Sequence, residues 1–202
     1  MKEKAKIAVL VSGGGTNLQA LIDAQAKGII TSGEIGLVIS NKADAYALTR
    51  AANAGIATEV ITKAACGSRE AFEEKIMETL NAYGADIIVL AGFMAILSEK
   101  FTGAYPKRIL NVHPSLIPSF CGEGFYGLRV HEAALAKGVK VTGATVHFVN
   151  EIPDGGEIIL QKAVNIREND TPETLQKRVM RQAEWKILPA AVEKVCAALQ
   201  KQ

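Results

Sequence analysis

The sequence predicts an α/β fold: a doubly wound, mostly parallel sheet carrying an antiparallel strand pair near its end and closed by a long C-terminal helix. Three observations predict it. Short apolar runs alternate with segments of helical periodicity from residue 7 to residue 112. A glycine-rich loop joins the first run to the first helical segment, and two strand-like segments late in the chain follow each other across one short loop.

The elements can be justified in order. Residues 7–11 are a continuous apolar strand running into Ser12-Gly13-Gly14-Gly15-Thr16-Asn17, after which Leu18, Leu21 and Ile22 recur with helical spacing. Residues 35–39 read as a second strand ending at Ser40-Asn41, 44–53 as an Ala-rich helix and 57–61 as a third strand. Ser68 is the expected N-cap of a helix to residue 82, before a buried fourth strand at 86–90. A helix from about Ser98 and a fifth strand at 108–112 continue the alternation, which implies a sheet covered on both faces. Then the rhythm changes. Pro114, Pro118, Gly122, Gly124 and Gly127 mark a loop of about a dozen residues, long enough to suspect a functional role. A helix at 128–137 precedes strands at 144–149 and 157–164, close enough together for an antiparallel hairpin at one side of the sheet. Asp170-Thr171-Pro172-Glu173 opens the final helical third.

One domain over residues 1–202 is expected, with a phosphate-binding half to about residue 100 and a catalytic half beyond it. The 49% hydrophobic and 22% charged content, with net charge +2, excludes a disordered chain or a nucleic-acid coat. Lys2, Lys4 and Lys6 form a mildly basic start, but the apolar run that follows is too short for a signal peptide or a membrane span. Cys66, Cys121 and Cys196 are odd in number and lack ligand spacing, which fits a reduced cytoplasmic protein without structural zinc. A Cys121–His113 nucleophilic pair must be considered, although nothing marks Cys121 as a thiolate.

Asn111-Val112-His113-Pro114-Ser115, at the end of the fifth strand, and Asp154-Gly155-Gly156 are the best clue to the chemistry. Side chains alternate along a strand, so Asn111 and His113 point to the same face. The amide can donate to a developing oxyanion while the imidazole carries a proton, and a nearby carboxylate would keep that imidazole charged. Taken singly, each motif reads more readily as a satisfied strand-end histidine and an Asp-Gly turn.

Backbone amides of a glycine turn that feeds a helix form an anion site. The dinucleotide form fails here, because Leu18 stands where its third glycine belongs and Ser40-Asn41-Lys42 replaces the ribose-binding acid. No Gly-Lys-Ser/Thr follows, so a Walker loop fails too. A monophosphate site with Thr16 and Asn17 as donors remains, beside the plain alternative of a tight strand-helix turn.

Four motifs in register, residues 12–18, Ala91-Gly92-Phe93-Met94, residues 111–118, and Val146-His147-Phe148-Val149 with Asp154-Gly155-Gly156, resemble the phosphoribosylglycinamide formyltransferases over roughly residues 5–190. These are folate-dependent enzymes of purine synthesis. The resemblance implies that 10-formyltetrahydrofolate is the co-substrate and that its formyl carbon is attacked by the amine of 5-phosphoribosylglycinamide. Asn111 and His113 would stabilise the tetrahedral oxygen, His113 would act as general acid, and Asp154 would raise the His113 pKa and move protons through water. Gly15, Thr16, Asn17 and Glu184 match the residues that hold the amine substrate. Met94, Ala95, Ile96 and Leu97, with Asn111 and with Asn150, Glu151, Ile152, Pro153 and Asp154, match the segments that enclose the pteridine, and Arg69 a basic residue near the folate tail. No metal, nucleic acid or membrane is implied, and the protein is expected to be a cytoplasmic monomer or homodimer.

Three departures bear on this. Ala95 stands where some relatives carry Arg, the 119–127 loop is longer than in the shorter relatives, and one residue is added between Arg178 and Glu184, which leaves the register of Glu184 open. His131 is expected to be a partly exposed helix residue, His147 a core or supporting histidine, and Trp185 a packing residue. Pro118 is a candidate cis position, although cis is the minority form. Two alternatives stand beside the transferase: a 10-formyltetrahydrofolate hydrolase, whose usual N-terminal regulatory domain finds no room before residue 7, and a non-catalytic nucleotide-binding protein. A transfer-RNA or sugar formyltransferase and a nicotinamide oxidoreductase fit less well.

Overall fold

Continuous apolar runs become strands buried from both sides, and the elements follow the expected alternation. The computed structural model describes residues 3–200, so Lys2 and the outermost ends of the expected domain lie outside the described residues. In order these are β1 (Ala5–Val11), α1 (Thr16–Ala26), β2 (Gly33–Ser40), α2 (Tyr46–Asn53), β3 (Ala57–Val60), α3 (Lys63–Cys66), α4 (Arg69–Tyr83) and β4 (Ile87–Leu90). There follow α5 (Glu99–Ala104), β5 (Ile109–His113), α6 (Leu128–Lys137), β6 (Val141–Phe148), β7 (Ile158–Asn165), α7 (Pro172–Val179), a π-helical turn (Met180–Glu184) and α8 (Trp185–Leu199).

The sheet order is β3-β2-β1-β4-β5-β6-β7. Pairings from β3 through to β5 are parallel, while β5 with β6 and β6 with β7 are antiparallel, so the hairpin lies at the edge as expected. Alternate residues of β1 serve two cores. Ile7, Val9 and Val11 belong to one with Leu18 and Leu21 of α1 and Leu188 and Val192 of α8. Ala8 and Leu10 belong to the other, with Ile76 and Leu80 of α4 and Phe101 of α5.

Helix starts follow their caps. Ser68 Oγ accepts from the Ala71 N–H at 3.0 Å and Ser98 Oγ from the Phe101 N–H at 3.2 Å, while Thr171 and Thr174 form a reciprocal capping box. The sequence reading missed two features. The short α3 is capped by Thr62, and β6 begins at Val141 rather than 144, because Gly143 reads as a breaker yet pairs within the ladder.

The π turn falls in the stretch where one added residue is expected. Each residue turns an α-helix by about 100°, so an uncompensated insertion would rotate every downstream side chain off its face. A π turn is wide enough to absorb one such residue, and downstream of it Leu188, Ala191, Val192 and Val195 lie on the core.

Candidate functional site

Strand order reverses between β1 and β4, so the chains leaving their C-terminal ends diverge and open a crevice. The glycine loop leaves β1 there and residues 91–97 leave β4. Ser12, itself buried, ties the two together by accepting the Met94 N–H at 2.8 Å. A cavity of about 840 Å³ extends from this point past the end of β5 to the 150–154 turn, with Asn17, Asn111, His113, Asp154 and Glu184 all on its wall.

Asn111 and His113 face this cavity from β5, as the two-residue alternation requires. Asp154 reaches them from the β6–β7 turn: its Oδ2 lies 3.4 Å from His113 Nδ1 and accepts the Gly122 N–H at 2.9 Å. Its Oδ1 lies 3.5 Å from His147 Nε2. His147 stands directly opposite Asn111 in the β5–β6 ladder. Its Nδ1 lies 2.8 Å from the Phe148 carbonyl and its Nε2 lies 3.3 Å from the Asn111 amide nitrogen.

His113 is pulled in two directions. Its Nε2 meets the Phe120 carbonyl at 2.8 Å and its Nδ1 faces Asp154, so both ring nitrogens look at acceptors, an arrangement suited to the imidazolium. Burial is the larger effect, and it holds the His113 pKa below its ordinary value while Asp154 and the Phe120 carbonyl push upward. The expected raised pKa is therefore not the resting condition: Asp154 acts in the expected direction, but burial outweighs it. Asp154 itself is raised by burial, yet His147, the Gly122 N–H and His113 together bring it below the usual carboxylate range.

The glycine loop exposes amides rather than carbonyls. The Gly13 carbonyl takes the Ala47 N–H at 3.0 Å and the Gly14 carbonyl takes Arg50 Nε at 2.8 Å. Gly15 has φ 70°, and a Cβ there would lie 2.6 Å from the Ala47 Cβ, so only glycine fits where α2 crosses the loop. No side chain caps α1, which leaves its first N–H groups without an intrahelical partner. Thr16 lines an adjacent groove between α1 and α8, whereas Asn17 turns into the main cavity.

There Asn17 Nδ2 donates to Glu184 Oε2 at 2.9 Å, so the π turn delivers Glu184 to the glycine-loop side of the cavity. Burial pushes the Glu184 carboxyl up to about 7, partly opposed by the Asn17 hydrogen bond. An acid whose folded pKa is raised binds its proton more tightly folded than unfolded. Stability contributed by that proton is present in acid and is lost as pH rises from the unfolded value near 4.5 through 7. The expected result is that Glu184→Gln removes a decline on the order of 3 kcal/mol between pH 5 and pH 8, read from denaturant midpoints of both proteins. Parallel pH profiles would contradict it.

Across the cavity, exposed Met94, Ile96 and Ile152 form apolar lips above Ala95 and buried Leu97, a slot suited to a flat ring. Arg69 does not reach the cavity wall. Its guanidinium donates to the Ile96 carbonyl at 3.0 Å and pairs with Glu73 at 3.1 Å, bracing residues 94–97 from outside. Asn150 caps its own turn, accepting the Ile152 N–H at 3.1 Å, and Glu151 and Pro153 complete the wall. In Asp154-Gly155-Gly156 the glycines are architectural: a Cβ on Gly156 would lie 1.7 Å from the Phe148 carbonyl. Asp154 has φ 56°, which an Asp tolerates better than most residues.

Other readings change with the structure. His131 is wholly buried, not partly exposed. His147 supports the site from the neighbouring strand, and the Val146-His147-Phe148-Val149 motif carried that signal. Nothing around Cys121 favours its thiolate: burial and Asp154 raise its pKa, and its Sγ donates to the Pro118 carbonyl at 3.3 Å. Trp185 is part-buried on the α1–α8 groove. The Ile117-Pro118 bond is cis, and the 119–127 loop folds over the site through the Phe120 carbonyl and the Gly122 N–H. Among the described residues no cluster of metal-ligating side chains occurs, and no helix is long and apolar enough to cross a membrane.

Similarity to known proteins covers the whole of this architecture. Residues 5–192 match the formyl transferase family. The chain is 48% identical over 196 residues to the trifunctional purine biosynthetic protein adenosine-3 of Homo sapiens, covering 97% of this chain but 19% of that protein's length. It is 44% identical to the phosphoribosylglycinamide formyltransferase of Escherichia coli (strain K12), covering 92% of this chain and 84% of that one. The crystal structure of glycinamide ribonucleotide transformylase 1 from Symbiobacterium toebii superposes with a TM-score of 0.90 at 45% identity, covering 96% of this chain and 89% of that one. With its seven-stranded mixed sheet and a family match running from β1 into α8, the chain belongs to the formyl transferase family.

Proposed function

We propose that the chain transfers the formyl group of 10-formyltetrahydrofolate to the primary amine of 5-phosphoribosylglycinamide, a step of purine synthesis. The observation that carries this reading is the convergence of Asn111, His113 and Asp154 between an apolar slot and a glycine loop. The slot takes the pteridine through Met94, Ala95, Ile96, Leu97 and the 150–154 turn. The loop amides at Gly15, Thr16 and Asn17 take the phosphate, with Glu184 beside them. Both substrates then meet at the end of β5.

The amine nitrogen attacks the formyl carbon and gives a tetrahedral oxyanion. Asn111 Nδ2, oriented by His147, donates to that oxygen. His113 Nε2 donates to the Phe120 carbonyl, so Nδ1, 3.4 Å from Asp154, is the nitrogen that gives a proton to N10 of the intermediate, and it carries that proton in the imidazolium form that Asp154 favours. The attacking amine loses a proton through water to Asp154, N10 of the folate gains one, and the carbon–N10 bond breaks. Products are the formamide and tetrahydrofolate. The reaction needs two small molecules, no metal and no nucleic acid, and is assigned to the cytoplasm.

Incubation with 10-formyltetrahydrofolate, with and without 5-phosphoribosylglycinamide, tests this by following folate release. Release that requires the amine is expected. Equal release without it would identify a hydrolase, and binding without release a non-catalytic nucleotide-binding protein.

A further inference from the structure

His131 sits on α6, wholly buried, and lines the main cavity. Neither Nδ1 nor Nε2 has a hydrogen-bond partner among the described residues. Such a ring is costly to keep, because a buried donor and a buried acceptor both forgo water without compensation. An apolar ring of similar size would fill the same space at less cost. Burial first, then the charge of His113, push its pKa down to about 4, so near neutrality the ring is uncharged and offers one N–H and one lone pair. Both His131 and His113 line this one cavity.

We infer that His131 contacts the amine substrate itself, one ring nitrogen hydrogen-bonding the carboxamide that adjoins the reacting amine. A carboxamide carries a C=O acceptor and an N–H donor, so it can meet either the ring N–H or the ring lone pair, which point to opposite sides of the imidazole. The Asn17 Oδ1 is likewise buried on the wall of this cavity without a partner, a second polar atom that a substrate group can complete. The inference rests on the proposed reaction and goes beyond it by assigning a contact that neither the glycine loop nor the Asn111–His113–Asp154 set supplies.

Calorimetric titration of wild type, His131→Phe and His131→Asn with 5-phosphoribosylglycinamide, ribose 5-phosphate and tetrahydrofolate tests the contact. His131→Phe is expected to weaken 5-phosphoribosylglycinamide binding at least tenfold and to raise its KM in proportion, with ribose 5-phosphate and tetrahydrofolate binding within about twofold of wild type. His131→Asn, which keeps a donor and an acceptor, should restore part of the loss. In the wild type, the ring nitrogen resonances of His131 should move on adding 5-phosphoribosylglycinamide but not ribose 5-phosphate, a measurement that decides the matter even if a variant does not fold. Unchanged binding in His131→Phe, or unmoved resonances, would overturn the contact and leave the reaction intact. Wild-type protein that fails to bind 5-phosphoribosylglycinamide would overturn both.

Discussion

His113→Ala is expected to lower kcat by roughly three orders of magnitude, because it removes both the proton donor and one of two groups facing the oxyanion. The variant also strips the Phe120 carbonyl of its 2.8 Å partner and leaves Asp154 with His147 and the Gly122 N–H alone. Part of the loss could then arise from a loosened 119–127 loop. His113→Gln separates the two effects, since its amide can still donate to the Phe120 carbonyl but cannot act as an acid. If proton transfer governs, both variants lose kcat alike while the dissociation constant for tetrahydrofolate changes little. If loop anchoring governs, His113→Gln recovers most of the rate. Circular dichroism melts with Tm near wild type are required of both. A turnover within tenfold of wild type in a folded His113→Ala protein would remove His113 from the chemistry.

The parts of this site that were legible in the sequence are those with a residue-type signature. Asn111 and His113 share a face because of strand geometry alone, and the run from Ile109 into His113 declares the strand. Gly15 is written as glycine because α2 crosses the loop there, and Gly156 because the Phe148 carbonyl does, so backbone packing marked both motifs before any fold was known. What stayed illegible depends on long-range packing or on atoms common to every residue. The Phe120 carbonyl that holds His113 could have come from any residue type. His131 looked like an ordinary helical histidine, since its burial follows from how α6 lies on its neighbours and not from its local pattern. The π turn changes a hydrogen-bonding period without changing composition, so only a count of residues against the family pattern hinted at it.

Asp154→Asn isolates charge from shape, and the geometry makes it an unusually clean change. The residue keeps φ near 56°, which Asn tolerates at least as well as Asp, and the amide oxygen can still accept the Gly122 N–H. What disappears is the negative charge 3.4 Å from His113 Nδ1 and 3.5 Å from His147 Nε2, together with the proton acceptor assigned to the attacking amine. His113 already titrates below its ordinary value because it is buried, with Asp154 opposing that shift. Loss of Asp154 therefore drives His113 further down, and its ring resonances should titrate at lower pH than in wild type. The expected kcat falls by about 10²–10⁴-fold near neutrality, with little change in substrate affinity. Stability runs the other way along the pH axis. A carboxylate whose folded pKa is depressed stabilises the fold above its unfolded value, and that contribution is lost as pH falls through the folded value. The wild type should thus be the more stable protein near neutrality and converge on Asp154→Asn in strong acid. A variant that loses activity while the His113 titration stays put would assign Asp154 to proton transfer from the amine alone. Full activity with a displaced titration would remove both roles and leave Asp154 as the residue that holds the 119–127 loop closed through Gly122.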